Sequence, residues 1–492
     1  MRAFRTSLTL VALWMVGCGD DGQGGAAAAP TREQLLDPET CKACHSKHYE
    51  EWSSSMHAYA SRDPVFRAMN KRGQEEAQLG DFCVQCHAPM AVREKKIKDF
   101  ADLSEVPDHL QGVTCYFCHN AVGVKGHNNA QIELADDTVM RGALSKPVKP
   151  PAHAVSTKPS KFHDRSNSAS AELCGSCHDI ENPNGFELER TFAEYQESVQ
   201  ATSPPGLGFM TCQECHMKRK PNRGLAAPGY GGQTGARDVH WHHFPAVDVA
   251  LTPDMPHQDI LRASIENCEL QAGTVSGFQV QLQDGWFPGE PFAFVVELEH
   301  SAGHNIPSGA SADRRLWIEV VAYDDTDQVV FESGRIKDGE IEEKPKDDPG
   351  YDPQFRPFRD YLLDADGNET HMFWEAAKLE RRSNLIPFAT TTVVGSHTAT
   401  RTFTAAKLRR PAPRIELWLR LRPMGIDVLQ DLVQSGHLDP AVIEAMPTFT
   451  LTHENAIYDP AANAYSMETP EEFDDGKSCE KFAEMFDAVT KN

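Results

Sequence analysis

Ten of the 13 cysteines fall into five Cys-x-x-Cys pairs, and each pair is followed at once by His. The five read Cys41-Lys-Ala-Cys44-His45, Cys83-Val-Gln-Cys86-His87, Cys115-Tyr-Phe-Cys118-His119, Cys174-Gly-Ser-Cys177-His178 and Cys212-Gln-Glu-Cys215-His216. At this chain's own Cys and His frequencies, chance yields about 0.015 such pentapeptides. Thiols at this spacing can add across the two vinyl groups at one porphyrin edge, while the adjoining His sits beneath the ring as the proximal iron ligand. That is the attachment chemistry of haem c, expected here five times over. Zinc ribbons also use Cys-x-x-Cys pairs, but zinc gives no reason for a His at one fixed offset in all five. Structural disulfides fit poorly as well, because thiols so close in sequence make weak staples.

Each iron has a second axial position. Electron-transfer haems usually fill it with His or Met, whereas catalytic haems leave it open. Nine further His fall in the motif-bearing stretch: His48, His57, His109, His127, His153, His163, His240, His242 and His243. Met56, Met90 and Met217 also lie near motifs and could be axial, although Met is ordinary core filler.

The motifs start 42, 32, 59 and 38 residues apart, too irregular for a simple solenoid repeat. Between them lie short helical patterns, Lys47–Arg62 and Leu188–Ser198, and a Pro-rich tract at Lys146–Lys161 that reads as loop. So little periodic apolar sequence cannot build a conventional core, and porphyrins are expected to fill the interior. After residue 262 the pattern changes to period two, in Phe292–Glu299, Leu316–Val321 and Ile415–Arg422. Gln279–Gln283, Gln328–Glu332, Thr391–Ser396 and Phe449–His453 are further strand candidates, and Ile426–Gly436 has helical spacing. Asp338–Pro353 reads as a charged surface excursion. The expected fold class is α+β and multidomain. A mostly α and irregular haem-bearing domain spans 38–250, and an antiparallel β-sandwich-like domain spans 263–455. An acidic tail with a short helix around Cys479–Val489 occupies 456–492.

The N-terminus reads as an export signal over 1–17, with Arg2 and Arg5 before the apolar run Leu8–Val16. Met15-Val16-Gly17-Cys18 resembles a bacterial lipobox, which would make Cys18 a lipidated first residue; ordinary cleavage near Ala29 is the alternative. Residues 18–37 then serve as a flexible linker, and the lipid holds the protein on a membrane surface. Export suits haem attachment, which takes place outside the cytoplasm, and the protein is expected in the periplasm or on the outer membrane. Cys268 and Cys479 stand outside all motifs and either pair as a disulfide or remain buried thiols. The net charge of −24 excludes nucleic acid as a partner, since no basic surplus is available to neutralise phosphates.

The run from Cys44-His45 to Glu51-Trp52-Ser53-Ser54-Ser55-Met56-His57 resembles the Cys-His…Trp-x-x-Ser-x-His signature of multihaem cytochromes c. That group includes the tetrahaem cytochrome of ammonia oxidisers and hydroxylamine oxidoreductase. Phe82-Cys83, His87-x-Pro89, Gly112-Val113-Thr114-Cys115, Leu173-Cys174-Gly175 and Thr211-Cys212-Gln213 extend the similarity over roughly residues 38–250. The resemblance implies that His57 is a distal ligand serving a neighbouring haem rather than its own. His153 and His242 follow as distal candidates, then His127 and His163, with His240 and His243 competing with His242. Gly303-His304-Asn305-Ile306-Pro307-Ser308-Gly309 resembles a loop found after the haem arrays of some multihaem cytochromes. On that reading His304 reaches across to cap a haem and locks the two domains together; the competing reading is a plain strand-connecting turn.

Two functions follow. Five closely packed haems can pass electrons between membrane-side donors, such as a quinol-oxidising complex, and periplasmic or outer-surface redox proteins. Alternatively, one open-coordinate haem makes the chain an oxidoreductase of nitrogen or sulfur compounds. The Cys-x-x-Cys-Lys motif of ammonia-forming nitrite reductases is absent. A third role, docking of the β-domain onto an oxidase or reductase complex, is compatible with either.

Overall fold

The computed structural model describes residues 29–143, 153–156, 158–217, 224–225, 236–237, 239–267, 275–336, 348–380, 385–390 and 398–470. The export segment with Cys18, the two extra cysteines Cys268 and Cys479, the strand candidate 391–396 and the tail helix lie outside the described residues. So do most of the 338–353 excursion and the first half of the Pro-rich tract.

Motif geometry sets the helices of the first half. Cys at i and i+3 and His at i+4 share one helical face, so a single turn presents both sulfurs and the imidazole together. Cys115–His119 and Cys212–His216 are such turns, Val84–His87 covers most of a third, and Ala169–Gly175 leads into a fourth. In the first motif the turn closes through His45 N–H donating to the Cys41 carbonyl at 2.8 Å. The helical pattern predicted over 47–62 breaks in two, Ser46–Ser53 and Met56–Tyr59. Ser55 causes the break: its extended backbone starts a new helix, and its Oγ accepts from Ala58 N–H. The pattern predicted over 188–198 is strand at Glu187–Arg190 before it becomes helix at Thr191–Glu197. The strand pairs with Asp179–Glu181, a partner that local periodicity does not reveal.

The flexible linker expected up to residue 37 ends earlier. Thr31 and Gln34 form a capping box on the helix Arg32–Leu35, and Leu35 and Leu36 are buried. They join Val84, Met90, Leu103, Leu110, Tyr116 and Phe117 in an apolar cluster around the second and third motifs. The first half therefore has a side-chain core after all, assembled from short non-periodic pieces. Met90 belongs to it as filler.

The second half is built mainly on two antiparallel sheets, with a further two-stranded pair at Leu362–Leu363 and Lys378–Leu379. Strands β1 (Val275–Leu282), β2 (Phe292–His300), β3 (Arg315–Tyr323), β4 (Val329–Ser333), β5 (Thr398–Ala405), β6 (Arg414–Arg422), β7 (Phe449–Asp459) and β8 (Ala464–Glu468) pair in the orders β5-β2-β1 and β4-β3-β6-β7-β8. Register follows the alternation: Leu417 lies opposite Val320 and Leu419 opposite Ile318, all four buried. Phe278, Phe294 and Phe403 from the smaller sheet and Leu316, Leu417 and Phe449 from the larger share one apolar cluster. Strand β8 and the end of β7 lie inside the stretch expected to be tail. The helix Ile426–Gln434 forms as predicted, and its apolar face meets the other half of the chain. Val428, Leu429 and Leu432 pack against Val65, Ala68 and Met69 of the helix Pro64–Ala77. No helix among the described residues is long and apolar enough to cross a membrane.

Candidate haem-iron centres

The approach of the motifs to one another is fixed by close backbone contacts. Trp52 Nε1–H donates to the Val113 carbonyl at 2.8 Å, and Val113 N–H donates to the His57 carbonyl at 2.8 Å. Gly112, with φ +68, lies so close that a Cβ would come within 2.5 Å of the His57 and Ala58 carbonyl oxygens. The Trp-to-His57 run and the Gly-Val-Thr lead of the third motif are thus two sides of one contact. At Gly175 of the fourth motif, a Cβ would meet the Phe192 ring at 2.1 Å.

Sulfurs of different motifs lie near one another: Cys41 near Cys115, Cys86 near Cys177, and Cys174 near Cys212. Cys118 also feels Cys174 and Cys177 electrostatically. The motifs therefore adjoin in the order first, third, fourth, fifth, with the second branching from the fourth. Nine of the ten motif cysteines are free thiols. Cys44 is disulfide-bonded, and haem attachment at that motif requires the bond to be reduced. Burial pushes the Cys83 and Cys118 thiols up to about 12. Cys215 is the exposed one.

Two imidazoles trans across one iron, with about 2 Å from metal to nitrogen and about 1.1 Å more to each ring centre, stand about 6.2 Å apart. Ring centroids of His45 and His153 are 6.1 Å apart, those of His178 and His57 6.3 Å, and those of His216 and His304 6.3 Å. For His119, His242 lies at 6.4 Å with an interplanar angle of 20°, while His163 stacks at 4.7 Å, too near for a metal between. His57 thus stands beside His178 of the fourth motif. His127 is not brought to a motif imidazole; it is exposed and packs edge-on against Phe192 at 5.0 Å. His87 is different again. Its ring stacks on Phe66 at 3.9 Å and 8°, and among the described residues no imidazole stands at trans spacing from it.

Tautomers favour ligation. Nδ1 of His87, His119 and His216 faces the carbonyls of Ala60, Arg141 and Pro245 at 3.0, 2.6 and 2.9 Å. Nδ1 of His153, His242 and His304 likewise faces the carbonyls of Ala154, His240 and Asn305 at 3.0, 3.0 and 2.8 Å. A proton held at Nδ1 leaves the Nε2 lone pair free for a metal. Burial lowers His57 and His242 to about 3 and His178 and His304 to about 4, which favours the neutral ring at those four. By contrast, His300 has Nε2 against the Pro387 carbonyl and Nδ1 accepting from Ala302 N–H, so both nitrogens are engaged.

His48, one of the nine candidate axial histidines, stands 6.2 Å from His45, and Glu51 is the residue that motif reasoning missed. Their ligand atoms and one of His242 lie within 4.8 Å of one another. Glu51 is 1% exposed and accepts from His242 N–H at 3.0 Å, so it fixes the backbone that carries His242. Its place directly before Trp52 in the signature was the available signal.

Residues 40–120 match the family model described as cytochrome c554 and c-prime. Among solved structures, the chain is similar to a penta-heme cytochrome c552 from Thermochromatium tepidum, with 18% identity and a TM-score of 0.58 over 87% of this chain and 99% of that one. A search of curated proteins found no match. The fold over most of the chain is thus one that a penta-heme cytochrome also adopts.

Proposed function

We propose that the chain is an exported multihaem cytochrome c that carries electrons through five closely spaced haems between membrane-side donors and periplasmic or outer-surface acceptors. Imidazoles at 6.1 to 6.4 Å from four of the five motif histidines carry this reading. Haem supplies reversible one-electron chemistry when bound. The protein's part is to hold paired neutral imidazoles in fixed orientation and to keep water away, which limits reorganisation. Thioether attachment belongs to the ten motif cysteines, proximal ligation to His45, His87, His119, His178 and His216, and distal ligation to His153, His57, His242 and His304. The β-sandwich-like domain supplies one of those distal ligands and a docking body for partner proteins. Anchoring through Cys18 would keep the array at a membrane face.

A second reading rests on His87. Stacked on Phe66 rather than faced by a second imidazole, it leaves its haem open to a small molecule, such as a nitrogen or sulfur compound. Carbon monoxide titration of the reduced protein separates the two. Electron transfer alone predicts no binding, one open haem predicts one equivalent, and His57→Ala adds one equivalent to either. A His57→Ala protein with unchanged carbon monoxide binding contradicts the ligand assignment.

A further inference from the structure

The loop that carries His304 belongs to the β-half of the chain, yet it is gripped by a carboxylate from the other half. Glu194, in the helix Thr191–Glu197, accepts from Asn305 N–H at 3.0 Å, from Asn305 Nδ2–H at 2.6 Å and from Ser308 Oγ–H at 3.3 Å. One turn earlier, Thr191 Oγ1 accepts from Gly309 N–H at 3.0 Å and pairs with Ser308 Oγ at 2.7 Å. The carbonyl of Asn305 is the group that holds Nδ1 of His304. The same residue is thus tied to Glu194 through its backbone N–H and its side chain, and to the imidazole through its oxygen. Asn305 Oδ1 in turn accepts from Phe388 N–H at 3.0 Å, which fixes the amide orientation. Three donors converge on one carboxylate, more than a surface turn needs to keep its shape.

We infer that Glu194 is a positioning residue for the fifth haem, holding His304 opposite His216 through Asn305 so that distal ligation depends on the docking of the two halves. This rests on the assignment of His304 as a distal ligand. The helix of Glu194 follows the paired strands Asp179–Glu181 and Glu187–Arg190 that leave the fourth motif, and its Phe192 packs over Gly175, so the grip links the fourth and fifth motifs. Loss of the carboxylate frees Asn305 to turn and lets His304 leave the axis without removing any ligand atom.

The test uses the mature full-length protein with its haems, comparing Glu194→Ala, Glu194→Gln and His304→Ala. Readouts are haem content, ferric high-spin fraction by electron paramagnetic resonance, and carbon monoxide equivalents after reduction. All three are expected to keep the wild-type haem count. His304→Ala should gain one carbon monoxide equivalent per chain, Glu194→Ala the larger part of the same equivalent, and Glu194→Gln, which retains one acceptor, a smaller part. Combining Glu194→Ala with His304→Ala should add nothing beyond His304→Ala alone. If His304→Ala gains the equivalent while both Glu194 variants remain as wild type, the positioning role is overturned and the ligand assignment stands. If His304→Ala itself gains nothing, the assignment falls and the inference with it. Should Glu194→Ala lose haem on purification, Asn305→Ala provides the same comparison by removing the amide donor from the other side.

Discussion

The two halves of this molecule reach burial by opposite routes. In the β-half, alternating strands put Phe278, Phe294, Leu316, Leu417 and Phe449 into one apolar cluster, and each strand's pattern states which face is inside. In the motif-bearing half, the buried groups include imidazoles and thiols, the helices are mostly one or two turns long, and the apolar cluster comes from scattered residues. Short helices are marginal on their own, and buried polar rings are costly unless something uses their free nitrogens. The contrast teaches that one half is specified by periodic side-chain packing and the other by scattered apolar residues packed among buried imidazoles and thiols.

The largest effect should come from blocking haem attachment. Protein made without cytochrome maturation is expected to lose amide hydrogen-exchange protection over residues 31–250 while 275–468 stays protected. Equal loss in both halves would erase the contrast. Next, Phe294→Ala should cost about 3–5 kcal/mol of stability by denaturant unfolding, since a fully buried aromatic leaves a cavity. Its absorption spectrum should not change.

A charge cluster within the β-half, at the start of the helix that meets the other half, gives a smaller effect. Asp427 opens the helix Ile426–Gln434, bonds Arg315 at 2.7 and 2.6 Å, and lies 3.5 Å from both Arg359 and His371. Burial opposes its charge, yet His371, Arg315 and Arg359 together hold it below the usual carboxylate range, while Asp427 raises His371. The His371 contribution is complete below its ordinary value of 6.5 and fades as pH rises through the raised one; that of Asp427 is complete above 3.8 and fades as pH falls. Asp427→Asn should therefore destabilise by about 2 kcal/mol near pH 5.5 and by less near pH 8.5. An equal loss at both pH values would remove His371 from the cluster. The smallest effect belongs to His127→Ala, which should shift stability by less than about 0.5 kcal/mol and leave the spectrum untouched, because the ring is exposed. A change in spin state would return His127 to the set of ligands.

Legibility in the sequence follows the same division. Strands β2 and β6 and the helix at 426–434 were readable because burial on one face imprints a period, whereas β3, buried along nearly its whole length, was readable from its apolar run. Strand β5 was not, since Thr398–Ala405 is largely polar and sits at the edge of its sheet. Candidate proximal histidines come from the covalent spacing alone. Distal partners needed distances: His242 and His163 both approach His119, and only the 6.4 Å spacing separates them. His48 and Glu51 carry no motif of their own, and their role appears only when the strand-free segment around His242 is brought beside them.

Haem content of the purified mature chain, measured as covalent mass together with the number of bis-imidazole low-spin centres, tests the central claim most directly. The account predicts five haems per polypeptide, at least four of them ligated by two imidazoles. A mass equal to the processed polypeptide with any lipid, or fewer than four such centres in a fully loaded protein, would contradict it.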